Sequence, residues 1–398
     1  MEVAMYFVNS LRGVANFDRS YSDEYVQAGA KVGDTIKIRL PQQYEATEGD
    51  ALEVQNLLDQ TVSLILSRRR HVGFGWSSTQ ATTDLDDIRS RYVQPAAETL
   101  ASVYDRVSMD DVYLSVYNYI GTLGTTPTTG LDYAKAVTKI LDGAGPDEGI
   151  VGILSPLSSA TIAASTALAF HPANQVRENW TKGQMASDQL GISKWFVDQN
   201  VPRFTSGAIT VNSTPLVNGA VQTGSSLVTD GWGSGGAALK KGDIITLAGV
   251  YAVNPLSKQS TGILQQFVLT ADVSDSTGAA TLSISPSIVT SGALQNVTGS
   301  PADDATITYW NLTAGSTLAS KVSPQNLIFH PKAFASAMAD LVMPNGGAKG
   351  TRVNSKQLGV AMRYVEQFQI TSDQNLNRLD ILFGSACVQA RLACRVVG

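Results

Sequence analysis

Residues 94–119 read QPAAETLASVYDRVSMDDVYLSVYNY, and the rest of the chain takes its place around them. Val93, Ala97, Leu100, Tyr104 and Val107 recur at spacings of three and four, the mark of one buried helical face. Val112, Val116 and Tyr119 continue the run, so ~26 residues at a rise of ~1.5 Å predict a rod of roughly 39 Å. Pro95 suits the first turn, where a missing N–H costs little, and Gly121 suits the exit. A rod of that length reads as a scaffold with a core-forming face.

Composition limits what the scaffold serves. The chain has 398 residues, a formal net charge of -5 and a sequence pI near 5.3, which argues against a dedicated nucleic-acid-binding surface. Its length predicts two to four units. Glu2 stands where a basic leader would begin, and no apolar run approaches the ~18 residues that span a bilayer, so the expectation is a soluble, cytoplasmically made protein. Cys387 and Cys394 read as small buried residues without a disulfide between them.

Outward from the helix toward the N-terminus, Val3, Phe7, Leu11 and Val14 share one face of a short helix that must pack on its own core or on another subunit. Thr35 to Leu40 alternates Ile36, Ile38 and Leu40 with Lys37 and Arg39, a half-buried strand closed by Pro41. A polar segment with Glu45, Glu48 and Asp50 follows, then a second strand over Val62 to Leu66, then Arg68, Arg69, Arg70 and a strand from His71 to Trp76. The pattern predicts an extended hairpin, acidic at one end and basic at the other. The Arg triplet reads either as a contact for a second copy or as a solvated loop, since exposed ion pairs contribute only ~0–1 kcal/mol.

Toward the C-terminus, Asp84 to Tyr92 predicts a short helix leading into the long one, and a Thr/Gly/Pro linker precedes a helix over Leu131 to Asp142, with Ala136, Val137, Ile140 and Leu141 inward. Gly149 to Leu154 reads as a strand, with Ser155-Pro156 opening a helix carried by Ala160 to Phe170. From Phe204 to Lys321 Arg, Glu and His disappear, and short alternating runs at Ala208 to Val211, Asp243 to Leu247, Gln265 to Leu269, Ala280 to Ile284 and Ala305 to Tyr309 predict a small barrel or sandwich. Asn326 to His330 is again a strand, with Pro331 opening a helix through Leu341, as if one α+β unit had been interrupted by the β segment. Leu358 to Ile370 and Arg378 to Val397 predict two long strands around a polar turn.

Candidate catalytic patterns fail on their surroundings. Gly231, Gly233 and Gly236 match G-x-G-x-x-G but lead into a strand, where a nucleotide loop opens a helix. Asp373, Asn375 and Asn377 begin like a calcium loop, yet Arg378 and Gly384 occupy the positions that need Gly and Glu. His71, His171 and His330 stand far apart, and the paired acids Asp86-Asp87, Asp110-Asp111 and Asp303-Asp304 read as helix starts and turns. The expectation is a non-enzyme without cofactor or metal.

In order, these parts resemble the HK97 fold of tailed-bacteriophage major capsid proteins, and within it the P22-type coat protein with its inserted β domain. The residues carrying the resemblance are TIKIRLPQQYEATEGD (35–50), LDDIRSRYVQPAAETLA (85–101), LKKGDIITLAGV (239–250) and the closing segment 358–398. It implies an α+β chain: an N-terminal arm (1–33), an extended E-loop (34–80), a peripheral domain with the spine helix (81–130), an axial domain in two parts (131–203 and 322–357), an inserted β-barrel (204–321) and closing strands (358–398). It further implies a virion protein, made in the bacterial host cytoplasm, that assembles as hexamers and pentamers into an icosahedral head around double-stranded DNA. Its partners would be a scaffolding protein, the portal, in some heads a decoration protein, and DNA contacted without sequence preference, with no membrane involved. Val3, Phe7, Leu11, Glu45, Glu48, Asp50, Arg68, Arg69 and Arg70 are the expected subunit-interface residues. A secreted or virion-surface β-rich adhesin, similar to a tail-fibre module, is the alternative, resting on the Ser/Thr/Gly-rich segment 204–321.

Overall fold

The computed structural model describes residues 2–22, 35–50, 52, 54–56, 59–83, 89–164, 185, 187–209, 214–232, 237–274, 278–310, 319–344, 349–355 and 359–398. The expected helical segments over 84–88 and 165–170, like the side chain of Val3, lie outside the described residues. The fold is α+β, and its contacts divide it into two units: 1–39, 61–111 and 334–388 form the first, while 40–60, 112–333 and 389–398 form the second.

The first unit is built on the strand Gln374–Cys387. One edge of it pairs with Val360–Gln369 and, further along, with Phe334–Ala339, and the other edge pairs with Arg68–Ser77; Lys349–Ser355 extends the sheet beyond Val360–Gln369. Alternation then separates two faces. Phe383 lies on the face that meets the helix Gln94–Tyr113, where the Tyr104 ring stands edge-on to it at 4.7 Å and the Tyr104 hydroxyl bonds Ser336 at 2.8 Å. On the opposite face Ala335 and Ala337 receive Ile36, Ile38, Leu64 and Leu66 of the hairpin Thr35–Arg39/Thr61–Ile65. Gly384 permits that approach, because a Cβ there would sit 2.1 Å from the Ile65 carbonyl.

Three expectations change in this unit. The helix ends at Tyr113 rather than Tyr119; the chain turns through Val116 and pairs Tyr119–Gly121 with another strand, and because Val116 and Tyr119 are buried anyway, the apolar spacing runs on past the helix. The segment after Pro331 is a single 3-10 turn followed by the strand Phe334–Ala339, not a helix through Leu341. Its small alanines fit between sheet and hairpin, and that tertiary fit overrides alanine's helix propensity. Arg378 to Val397 breaks at the 3-10 turn Ala390–Leu392, giving two strands in different units.

In the second unit a five-stranded sheet runs Tyr119–Gly121, Ala393–Val397, Val322–Phe329, Val151–Leu154, Lys194–Val197, with Arg203–Thr205 pairing the start of Val322–Phe329. The helix Gly130–Asp142 buries Tyr133, Ala136, Val137 and Ile140 against it, while Leu141, expected inward, is exposed. The helix Pro156–Ala163 starts as expected, with the Ser155 hydroxyl accepting from Ser158 N.

The β-rich segment forms a six-stranded sheet in the order Ile307–Tyr309, Ile244–Val253, Ser260–Leu269, Ala280–Ile288, Gly224–Asp230, Leu216–Val217. A bridge from Leu216 to Thr306 brings its two ends together into a nearly closed barrel filled by Leu227, Leu247, Phe267, Leu282 and Ile307.

Candidate assembly surfaces

The expected interface residues fall into three places. Phe7 and Leu11 are buried in their own chain, Phe7 stacked on Tyr104 with ring centroids 5.8 Å apart. The turn after this first helix is held by Asp105, whose carboxylate accepts the backbone N–H groups of Arg12, Gly13 and Val14 at 3.0, 3.0 and 2.6 Å. Of the expected spine core, Ala97, Leu100 and Tyr104 are buried whereas Val93 and Val107 are half-buried; Ala101, Ser108 and Met109 complete the inward face.

Arg68, Arg69 and Arg70 lie on a strand rather than in a loop, so alternation sends Arg69 to the side opposite Arg68 and Arg70. Arg68 grips Asp111 with two hydrogen bonds, at 2.6 and 3.1 Å. Arg69 joins a cluster around the fully buried carboxylate of Asp380, 3.7 Å away, together with Arg363 at 2.5 Å and Arg378 at 2.7 Å. Burial alone would raise the Asp380 pKa, but the hydrogen bonds from Arg363 and Arg378 prevail and hold it below the usual carboxylate range. This cluster joins residues of three strands, and no local spacing in the sequence announces it.

Glu45, Glu48 and Asp50 are exposed on the loop 40–60 of the second unit. The two limbs of that loop, an extended arm without regular strand structure among its described residues, are tied together: Leu40 N donates to Gln60 O at 2.9 Å, Gln42 to Asp59 at 2.6 Å, and Glu45 N to the Gln55 side chain at 3.0 Å. Tyr44, Leu52 and Val54 on it are exposed, Leu52 by 89%.

A second polar centre lies beneath the barrel. Arg395 is fully buried, donates to Gly242 O at 2.9 Å, and places its guanidinium 5.4 Å from the Trp310 ring centroid and 5.9 Å from that of Phe204. Burial lowers its pKa to about 10. Asp243 nearby accepts from Lys240 N, Gly207 N and the Trp310 indole, yet burial still raises its pKa. Tyr119 is tied in as well, exchanging backbone hydrogen bonds with the Gln266 side chain at 2.9 and 3.1 Å.

Nothing described gathers catalytic groups. Among the described residues no three His, Cys, Asp or Glu side chains could hold a metal ion. After Trp232 the described chain resumes as the strand Ala237–Leu239, and Asn375 and Asn377 are paired within the Gln374–Cys387 strand. Asp110 and Asp111 sit in the last turn of their helix rather than at a helix start. Cys387 and Cys394 are free thiols whose pKa burial raises to about 12, and no described helix is long and apolar enough to cross a membrane.

Comparison with known proteins gives a consistent result. The family model described as P22 coat protein, gene protein 5, matches residues 18–395. A solved chain from Mycobacterium phage Che8 is similar at 11% identity with a TM-score of 0.50, covering 97% of this chain and 90% of that one. The capsid of Ralstonia phage GP4 aligns at 10% identity and a TM-score of 0.45, over 92% of this chain and 84% of that one. The CUS-3 coat protein I-domain aligns at 26% identity over 26% of this chain and 100% of that one, with a TM-score of 0.21. No curated protein matches. At these identities the likeness to the Che8 chain is one of fold, the HK97-like α+β arrangement expected from the sequence.

Proposed function

Because the chain belongs to the P22 coat protein family, we propose that it is the major capsid protein of a tailed bacteriophage, whose copies assemble as hexamers and pentamers into an icosahedral head enclosing double-stranded DNA. Membership makes it a phage coat protein, a structural protein of the virion, and a non-enzymatic role goes with that reading. The single observation that carries the assembly reading is the family match across nearly the whole chain, over 18–395. Closed shells need repeated heterologous contacts, and a long loop with exposed acids and apolar groups, such as 40–60, supplies surface for them. A scaffolding protein, the portal and, in some heads, a decoration protein are the partners this role calls for, with DNA confined rather than tightly bound by an acidic chain. The adhesin alternative rested on the composition of 204–321, which the family assigns to a coat protein.

Electron microscopy of the purified protein, alone and with its scaffolding partner, tests the proposal. Capsomers or closed shells are expected; a strictly monomeric protein at high concentration in both settings would refute it.

Two finer assignments accompany it. The barrel segment 204–321 is an insert in the axial domain and folds by itself, so an isolated fragment should give dispersed amide NMR signals. Glu45, Glu48 and Asp50 of one copy dock on Arg68, Arg69 and Arg70 of the next, a reading supported by the exposure of all six. Assembly of the triple Arg→Ala variant with unchanged salt sensitivity would end that assignment. Phe7 and Leu11, buried within one chain, are left out of it.

A further inference from the structure

The second unit holds a cavity of about 440 Å³, a size that suits small molecules, whose sites run to roughly 300–1,000 Å³. Its walls come from the end of the helix Gly130–Asp142 and the turn after it, from the barrel strands, and from Gln43 and Gln60 at the base of the extended arm. The barrel side offers apolar Ile263, Leu264 and Val289 beside polar Gln265, Gln266 and Asn296.

The helix side carries more positive than negative charge. Lys139 lines the cavity half-buried, and burial pulls its ammonium below the usual lysine range. Among the described residues no carboxylate comes within ion-pair distance of it. Among the described residues Arg391 is held by neutral oxygens, the Gly143 carbonyl and the Gln389 side chain, each at 3.4 Å, with no acid in ion-pair distance. Asp142 lies on the same wall and pairs with neither cation. With Lys258, which repels Arg391, and Glu45, which attracts Lys258, three cations stand against two carboxylates and leave a single positive charge. A ligand with one negative charge balances it, and a dianion would meet Asp142.

We propose that this cavity binds a monoanionic carboxylate carrying an aliphatic or aromatic body, its carboxylate between Lys139 and Arg391 and its body against Ile263 and Leu264. A carboxylate suits the site because hydrogen bonds to an ionised acceptor are about twice as strong as neutral ones, while the barrel wall takes the apolar end. Bound there, the ligand would link the base of the arm to the barrel and the helix, all within the second unit.

The test is isothermal titration calorimetry and thermal unfolding of the full chain with sodium octanoate, using octanamide as the neutral control of the same length. Octanoate should bind and raise the Tm, with octanamide at least about tenfold weaker. Lys139→Gln and Arg391→Gln should each weaken octanoate about tenfold. Ile263→Trp, at a partly exposed position, fills the cavity without altering its charge and should abolish binding; it carries the test if a charge variant fails to fold. Equal binding of octanoate and octanamide, no octanoate binding up to about 10 mM, or binding indifferent to the variants that fold would each overturn the proposal.

Discussion

The Asp105 carboxylate accepts the backbone N–H of Val14 at 2.6 Å, closing a three-donor nest that also takes Arg12 and Gly13. One carboxylate in mid-helix thereby fastens the turn that follows the first helix. Asp105→Ala leaves three donors unanswered and should cost roughly 3–5 kcal/mol in urea unfolding, with Asp105→Asn costing less because one acceptor oxygen remains. Equal stability of Asp105→Ala and the parent chain would show the nest to be incidental.

At Gly384 the missing side chain is the contact. A Cβ would meet the Ile65 carbonyl at 2.1 Å and Leu66 Cα at 3.2 Å, and backbone cannot swing aside as a flexible side chain can. Gly384→Ala should destabilise by about 1–3 kcal/mol and speed proteolysis of the hairpin. Unchanged protease resistance would mean the hairpin tolerates being lifted.

Asp380 makes stability depend on acid. Its folded pKa is depressed, so its contribution is fully present above the unfolded value of about 3.9 and is lost as pH falls through the folded value. Asp380→Asn should therefore unfold more easily than the parent near pH 7, by about 2 kcal/mol, with the gap narrowing below about pH 4. A gap that stays constant from pH 7 to about pH 3 would exclude the carboxylate's charge as its source.

Arg395 separates packing from charge. Among the described residues its Nε and Nη1 find no acceptor, so the guanidinium contributes chiefly through Gly242 O and the rings of Phe204 and Trp310. Arg395→Ala should cost about 3–5 kcal/mol, while Arg395→Met, which keeps most of the volume, should cost at least about 1 kcal/mol less. Urea unfolding followed by tryptophan fluorescence distinguishes the two; equal losses would put the energy in the charge.

Local periodicity made much of this fold legible. The hairpin at Thr35–Arg39 and Thr61–Ile65, the helix Gly130–Asp142, the strand before Pro156 and the barrel strands were readable because each buries one face at its own period. Failures came where burial and local structure part company. Val116 and Tyr119 keep a helical spacing beyond the helix, and Phe334–Ala339 has the composition of a helix but is a strand between two layers. The chemically distinctive places, Asp105 under Val14, Asp380 among three arginines and Arg395 against Trp310, join positions far apart in sequence. A lone Asp in a helix or a lone Arg in a strand gives no sign of its partner. In the Arg triplet, neighbours in sequence stand on opposite faces of a strand, which a run of three like residues does not announce.

The five-stranded sheet sets a schedule as well as a shape. Among the described residues Tyr119–Gly121 has only Arg395–Val397 as its neighbour in that sheet, and Val322–Phe329 lies between Val151–Leu154 and the same late strand. At about 5–20 residues per second of synthesis, Tyr119 leaves the ribosome tens of seconds before its partner exists. Throughout that interval the nascent chain carries an apolar strand with an open edge. A chain destined to join many copies of itself thus spends its longest unpaired moment before it is whole, while crowding and temperature can still divert it.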